Sequence, residues 1–287
     1  MEKVIVNIPV YKETLSKEEI LSFRQCCKVL QSHPICLITY AGIDCSAYET
    51  IASKYNVILL RENYDSRFFK NVYGYNQLML SKAFYQRFTQ YEYMLIYQLD
   101  AYIFKDELLD WCNKGYDFIG APLLEDKFGW ENRYIIPNSN NGGFSLRRIK
   151  YCIDFLSHKG PILKLKTIYE LQRTDTSRTW LGNILLSLLR ALGYRNTVAY
   201  FIKHTYYNED LLFCLTFDVS ISWITTPLHT YNTWIHPILP TAKESAAFSL
   251  ERYPSYFIDM YGVSPIGCHA WQKNMDFWKD YINGLTY

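Results

Sequence analysis

Asp100 closes the apolar run Tyr93–Met94–Leu95–Ile96–Tyr97–Gln98–Leu99. A carboxylate just past the end of a central strand stands where α/β proteins bind ligands. Further along comes Asn141–Gly142–Gly143–Phe144–Ser145–Leu146–Arg147. Its two glycines let backbone approach a ligand with no Cβ in the way, and Asn141 offers a hydrogen-bonding amide beside them. The plainer reading is a turn into a strand. A third element, Asn208–Glu209–Asp210, sets two acids side by side. A carboxylate in a partly closed pocket, its pKa tuned by burial, can serve as a general base. The same pair could equally cap a helix N-terminus, where negative charge is favoured.

These residues need elements to hold them. Val4–Val10, Ile35–Tyr40, 56–60 and 93–99 read as strands, the first closed by Pro9 and the second by Gly42. Between them, Ser16 and Glu19 make a capping box for a helix carrying Ile20, Leu21, Phe23, Cys27 and Leu30. Residues 47–55 and 72–89 also have helical spacing. After Asp100 come a helix over 106–113, a strand over 117–122, a short strand over 142–146 and a helix over 148–157. Alternating strands and helices predict a mostly parallel sheet with helices on both faces. The second half is less regular. Thr179–Leu192 is apolar almost all round and is expected to be buried; residues 197–240 are loop-rich with Pro227, Pro237 and Pro240, and 243–250 and 275–282 are helical. The division expected is 1–124 for one half and 125–287 for the other, in one continuous domain.

Composition narrows the function. The chain of 287 residues is 49% hydrophobic and 20% charged, enough to bury a core and unlike a disordered chain. Net charge is +2 with no basic block, so nucleic acid is not an expected partner. The 26 tyrosines suit stacking on sugars, although biased codon usage accounts for them as well. The eight cysteines form no CxxC pair and read as buried apolar residues, not a zinc or redox site. No apolar stretch reaches the ~20 residues that span a bilayer, and the N-terminal run reads as a strand rather than a signal peptide. A cytoplasmic location is expected, with contact at the inner face of a membrane left open.

The chain resembles GT-A-type glycosyltransferases, and in particular a bacterial glycosyltransferase-like family without a settled function name. The residues that carry the likeness are Ile8–Pro9–Val10–Tyr11, Gly74–Tyr75–Asn76–Gln77–Leu78–Met79–Leu80–Ser81, Gln98–Leu99–Asp100–Ala101, Gly120–Ala121–Pro122 and the Asn141–Arg147 block. The resemblance implies a GT-A-like, Rossmann-like fold, with a nucleotide-sugar on the N-terminal half and an acceptor on the C-terminal half.

By that resemblance Asp100 matches the first acid of an Asp-x-Asp motif that holds Mn²⁺ or Mg²⁺ against the donor diphosphate. Tyr102 replaces the second acid and is a poor ligand for a hard cation. His269, in Gly267–Cys268–His269–Ala270–Trp271, matches a C-terminal histidine that completes such a metal site; a plain structural histidine is the alternative. Asp210 matches the general base of inverting enzymes, with Glu209 in reserve. Pro9, Val10 and Tyr11 stand where the base would sit. Asp65, Arg67 and Asn76 are candidates for ribose or diphosphate, and Ala101 and Tyr102 flank the donor with Asp100. Asn141, Gly142 and Gly143 lie beside the donor sugar and the acceptor. His229 and His236 are candidates to line an acceptor site; His33, His158 and His204 read as structural or solvated.

The expectation is therefore an inverting transferase moving a hexose or hexosamine from a nucleotide-diphosphate sugar, with UDP favoured, to a hydroxyl of a glycan or lipid-linked acceptor. The rivals are a non-catalytic carbohydrate-binding or scaffold protein, a sugar nucleotidylyltransferase, disfavoured because Pro9–Val10–Tyr11–Lys12–Glu13 holds no glycine, and a hydrolase using the paired acids.

Overall fold

The structure is a computed structural model, and it describes residues 2–125, 134–172, 179–204, 208–215 and 233–282. The strands are β1 (Glu2–Pro9), β2 (Ile35–Tyr40), β3 (Leu59–Tyr64), β4 (Tyr91–Tyr97), β5 (Tyr102–Ile103), β6 (Phe118–Ile119), β7 (Pro122–Glu125), β8 (Tyr134–Asn140), β9 (Phe144–Arg148), β10 (Ser249–Leu250) and β11 (Gly267–Cys268). Six of them build the main sheet in the order β3-β2-β1-β4-β9-β6. β1 to β4 run parallel, and β9 lies antiparallel between β4 and β6. Residues on both sides of position 125 thus share one sheet.

Strand alternation sorts the side chains onto two apolar cores. Val4, Val6, Ile8, Tyr93, Leu95 and Tyr97 face one core, which the helix Lys17–Val29 covers with Phe23, Cys26 and Cys27. Ile5, Met94 and Ile96 face the other, packed by Leu78, Met79, Phe84, Cys152 and Phe155. The expected capping box at Ser16 and Glu19 is present. The stretch expected as one helix over 72–89 is two, Val72–Met79 and Lys82–Gln86. The strand expected over 56–60 starts later, at Leu59.

A smaller sheet, β10-β11-β5, sits over a third core that holds Tyr102, Trp271 and Trp278. All eight cysteines are free and buried. Among the described residues, no helix is long and apolar enough to cross a membrane. One expectation is reversed: the Leu-rich helix Trp180–Ala191 is not buried, and turns most of its leucines to solvent.

Candidate active site

In the order β3-β2-β1-β4 the chain reverses direction across the sheet between β1 and β4. Parallel α/β sheets open a crevice at such a point, outside the carboxyl ends of the strands. Pro9 ends β1, and Gln98, Leu99 and Asp100 follow β4. Because β9 runs antiparallel to β4, its entry end lies beside the exit end of β4. Tyr97 pairs with Phe144, and the Gln98 N–H donates to the Gly143 carbonyl at 2.9 Å. This is the reason Asp100 and the Asn-Gly-Gly segment meet, although they are distant in sequence.

A cavity of about 510 Å³ occupies the crevice, lined by Pro9, Tyr11, Asn76, Asp100, Asn141, Gly142, Gly143, Glu209, Asp210 and His269. Those ten candidates converge, and six do not. Val10 is buried, and its carbonyl accepts the Thr39 hydroxyl at 2.9 Å. Asp65 caps the short turn Ser66–Phe69 by accepting the Arg67 N–H at 2.9 Å, and the exposed Arg67 lies over the Phe68 ring. Ala101 is buried, its carbonyl taken by the Ser22 hydroxyl at 2.6 Å. Tyr102 lies in β5 and packs its ring on Phe104 and Trp271 in the third core. His236 is exposed and away from the cavity, and His229 lies outside the described residues.

The acid pair opens the helix Glu209–Phe213. Both acids are buried. Asp210 accepts the Gly142 N–H at 2.8 Å and the Leu211 N–H at 2.7 Å. Glu209 pairs with Arg147 at 2.7 Å, a guanidinium with no solvent exposure. Arg147 also donates to the Gly142 carbonyl at 3.1 Å, the Tyr85 hydroxyl at 3.1 Å and the Ser145 hydroxyl at 3.0 Å. Burial, reinforced by the neighbouring charge of Glu209, raises the Asp210 carboxyl to about 7. First-turn position and cavity-facing position thus coexist, and the capping and catalytic readings are compatible.

On the opposite wall, β11 carries His269 to Asp100. The His269 Nε2 lies 3.2 Å from Asp100 Oδ1 and 3.2 Å from Gln98 Oε1, and Nδ1 lies 3.6 Å from Glu251. Burial alone would depress the imidazole, but Asp100 and Glu251 outweigh it and hold it at about 9. Likewise, burial would raise Asp100, but His269 holds it below its usual range.

These contacts show what a resident divalent metal would meet. A ligating histidine must be neutral, so an ion would have to displace the proton that Asp100 and Glu251 favour on the His269 ring. With Tyr102 in the core, the position of the motif's second acid offers no carboxylate beside Asp100. Among the described residues, no three His, Cys, Asp or Glu side chains cluster to hold an ion. Asp100 and His269 are the side chains that would hold an ion against a donor diphosphate, where it would neutralise the leaving charge, and no step below is routed through one.

The glycines have a tighter reason than ligand access. A Cβ on Gly142 would lie 2.6 Å from Glu209 Oε1, and one on Gly143 would overlap the His269 ring. The Gly-Gly pair is the slot into which both walls fit. Gly143→Ala must push the imidazole off Asp100. Overpacking of this kind costs about 1–3 kcal/mol, so a melting temperature lower by roughly 3–10 °C is expected in a thermal-denaturation measurement. An unchanged melting temperature would show that the imidazole has room to step aside.

Several cavity residues were not singled out from sequence: Lys70, Tyr75, Gln98, Asn208, and behind them Arg147 and Glu251. Arg147 closes its block and, with Arg148 and Lys150, reads as the solvated basic start of a helix, whereas the structure buries it fully. Lys70 follows the aromatic pair Phe68–Phe69, and this pair, not Asp65 or Arg67, forms the rim with it.

The family model described as "Protein of unknown function (DUF5672)" matches residues 59–269, and the chain belongs to that family. No curated protein matches. Among solved structures the chain is similar to "PaToxG Glycosyltransferase", at 14% identity and a TM-score of 0.28, covering 71% of this chain and 70% of that one. It is also similar to A197 from STIV, at 10% identity and a TM-score of 0.28, covering 53% of this chain and 67% of that one. Neither likeness is close enough to carry an argument.

Proposed function

We propose that this DUF5672 protein is a glycosyltransferase of GT-A-like fold, moving a hexose or hexosamine from a nucleotide-diphosphate sugar, UDP-linked by preference, to a hydroxyl of a glycan or lipid-linked acceptor. One observation carries the reading: Asp100, the Asn141–Gly143 segment, the Glu209–Asp210 pair and His269 face one cavity at the reversal point of the sheet. The exposed Tyr11 ring, at the end of β1, is available to stack on the base. Lys70 and the cationic His269 are the charges available to a diphosphate. Asp210, raised toward neutrality, takes the proton of the attacking hydroxyl, whose oxygen displaces the diphosphate from the far face of the sugar, with inversion.

Thermal-shift measurements with UDP-, GDP-, CMP- and dTDP-sugars, each with and without manganese, test the donor. A ligand selective for the folded state raises the melting temperature. The expected result is a shift from a UDP-sugar with or without manganese. A shift that needs manganese would give the ion a place that the side chains alone do not build. Asp100→Ala is expected to weaken donor binding about tenfold or more, since His269 loses its partner at the cavity wall. Unchanged affinity removes Asp100 from the donor site. Slow release of nucleoside diphosphate separates a transferase from a binding protein that keeps the same fold.

A further inference from the structure

The helix Trp180–Ala191 is built inside out. Its buried side chains are Asn183, Ser187 and Arg190, which at helical spacing share one face. Ser187 bonds to Gln172 on the neighbouring helix Leu165–Gln172. The apolar residues point the other way. Trp180 is 67% exposed, Leu181 69%, Leu185 61% and, just past the helix, Leu192 83%, with Leu188 and Leu189 also exposed. Leu165 and Tyr169 on the neighbouring helix are exposed too. Soluble chains rarely leave a contiguous apolar stripe of this kind in water, and such a stripe marks a docking face.

Charge identifies the occupant. From His158 to His204 the chain carries eight Lys and Arg against two Asp and Glu, although the whole protein is only +2. Lys159, Lys166, Arg195 and Lys203 are exposed; Lys166 follows Leu165 on the helix packed against the leucine helix, and Arg195 comes three residues after Leu192. A second copy would bring the same positive charge against itself. A surface that is apolar beneath and negative above suits both features. At 12 residues the helix is too short to span a bilayer but the right kind to lie in its plane.

We propose that the Trp180–Ala191 face docks the protein on an anionic lipid bilayer, with the leucines in the acyl boundary and the lysines and arginines at the headgroups. The proposal does not rest on the glycosyltransferase reading. Co-sedimentation of the full chain with vesicles tests it, comparing phosphatidylcholine alone with phosphatidylcholine containing phosphatidylglycerol. Binding to the anionic vesicles is expected to be about tenfold stronger or more and to weaken with added salt. Leu181→Gln/Leu185→Gln/Leu188→Gln changes only exposed side chains and should abolish binding with the melting temperature kept. Lys166→Glu/Lys203→Glu should weaken binding about tenfold, and it carries the test if the triple variant folds poorly. No binding to anionic vesicles overturns the proposal, as does equal binding to neutral ones. A dimer that the triple glutamine variant dissociates would assign the face to a second copy and overturn it as well.

Discussion

Asp210→Asn is expected to lower turnover by roughly 10²–10⁴-fold, the usual worth of a positioned general base, and to leave donor affinity within about twofold. The change keeps size and shape while removing the proton acceptor. It also leaves one of two backbone donors, Gly142 N–H or Leu211 N–H, facing an amide NH₂, so melting is measured beside activity. A folded, donor-binding variant that still transfers sugar would remove Asp210 from the base role. The pH profile gives a second readout. Burial and the Glu209 charge raise Asp210 to about 7, and a base acts only when unprotonated. The rate should therefore fall as pH drops through about 7. Glu209→Gln removes the like charge and should move that limb to lower pH. Stability follows the opposite sense. The folded chain holds this proton up to about 7, whereas the unfolded chain releases it at ordinary carboxylate values. The stability contribution of Asp210 is thus full below the unfolded value and is lost as pH rises through about 7.

Arg147→Met should have the largest effect on stability. The side chain is fully buried, and its guanidinium binds Glu209, Gly142, Tyr85 and Ser145. Removing it strands the buried Glu209 carboxylate. Breaking a buried pair from one side costs about 3–5 kcal/mol, which for a chain of this length lowers the melting temperature by roughly 10 °C. Arg147→Met/Glu209→Gln leaves no unpaired charge and should recover most of the loss. Calorimetry of the two variants checks both statements. A single variant as stable as the parent would mean that Glu209 finds another partner or reaches water.

Much of this architecture was legible in the residues. The strands β1, β2 and β4 and the helix Lys17–Val29 announce themselves because apolar runs, a capping box and chain breaks all agree. The candidate residues beside strand ends were legible for the same reason. Their convergence on one cleft follows from the resemblance alone and not from the residues, because it depends on β9 entering the sheet backwards between β4 and β6, and the pairing partner of a short strand is a non-local choice. The leucine-rich helix reads as buried because apolar content does not say which face is covered; its three buried polar residues, Asn183, Ser187 and Arg190, decide that. Asp65 and Arg67 read as loop charges, but the turn that Asp65 caps places the next residues, Phe68 to Val72, at the cavity.

The reversed strand β9 has a consequence for how the molecule can vary. It delivers its first residues to the cavity and then carries the chain away, so the acids at 209 and 210 must come back by way of residues 158–204. That return path is a detour whose length the cavity does not dictate. Changes confined to the exposed face of the helix Trp180–Ala191 would alter where the protein anchors and leave the chemistry of the crevice in place.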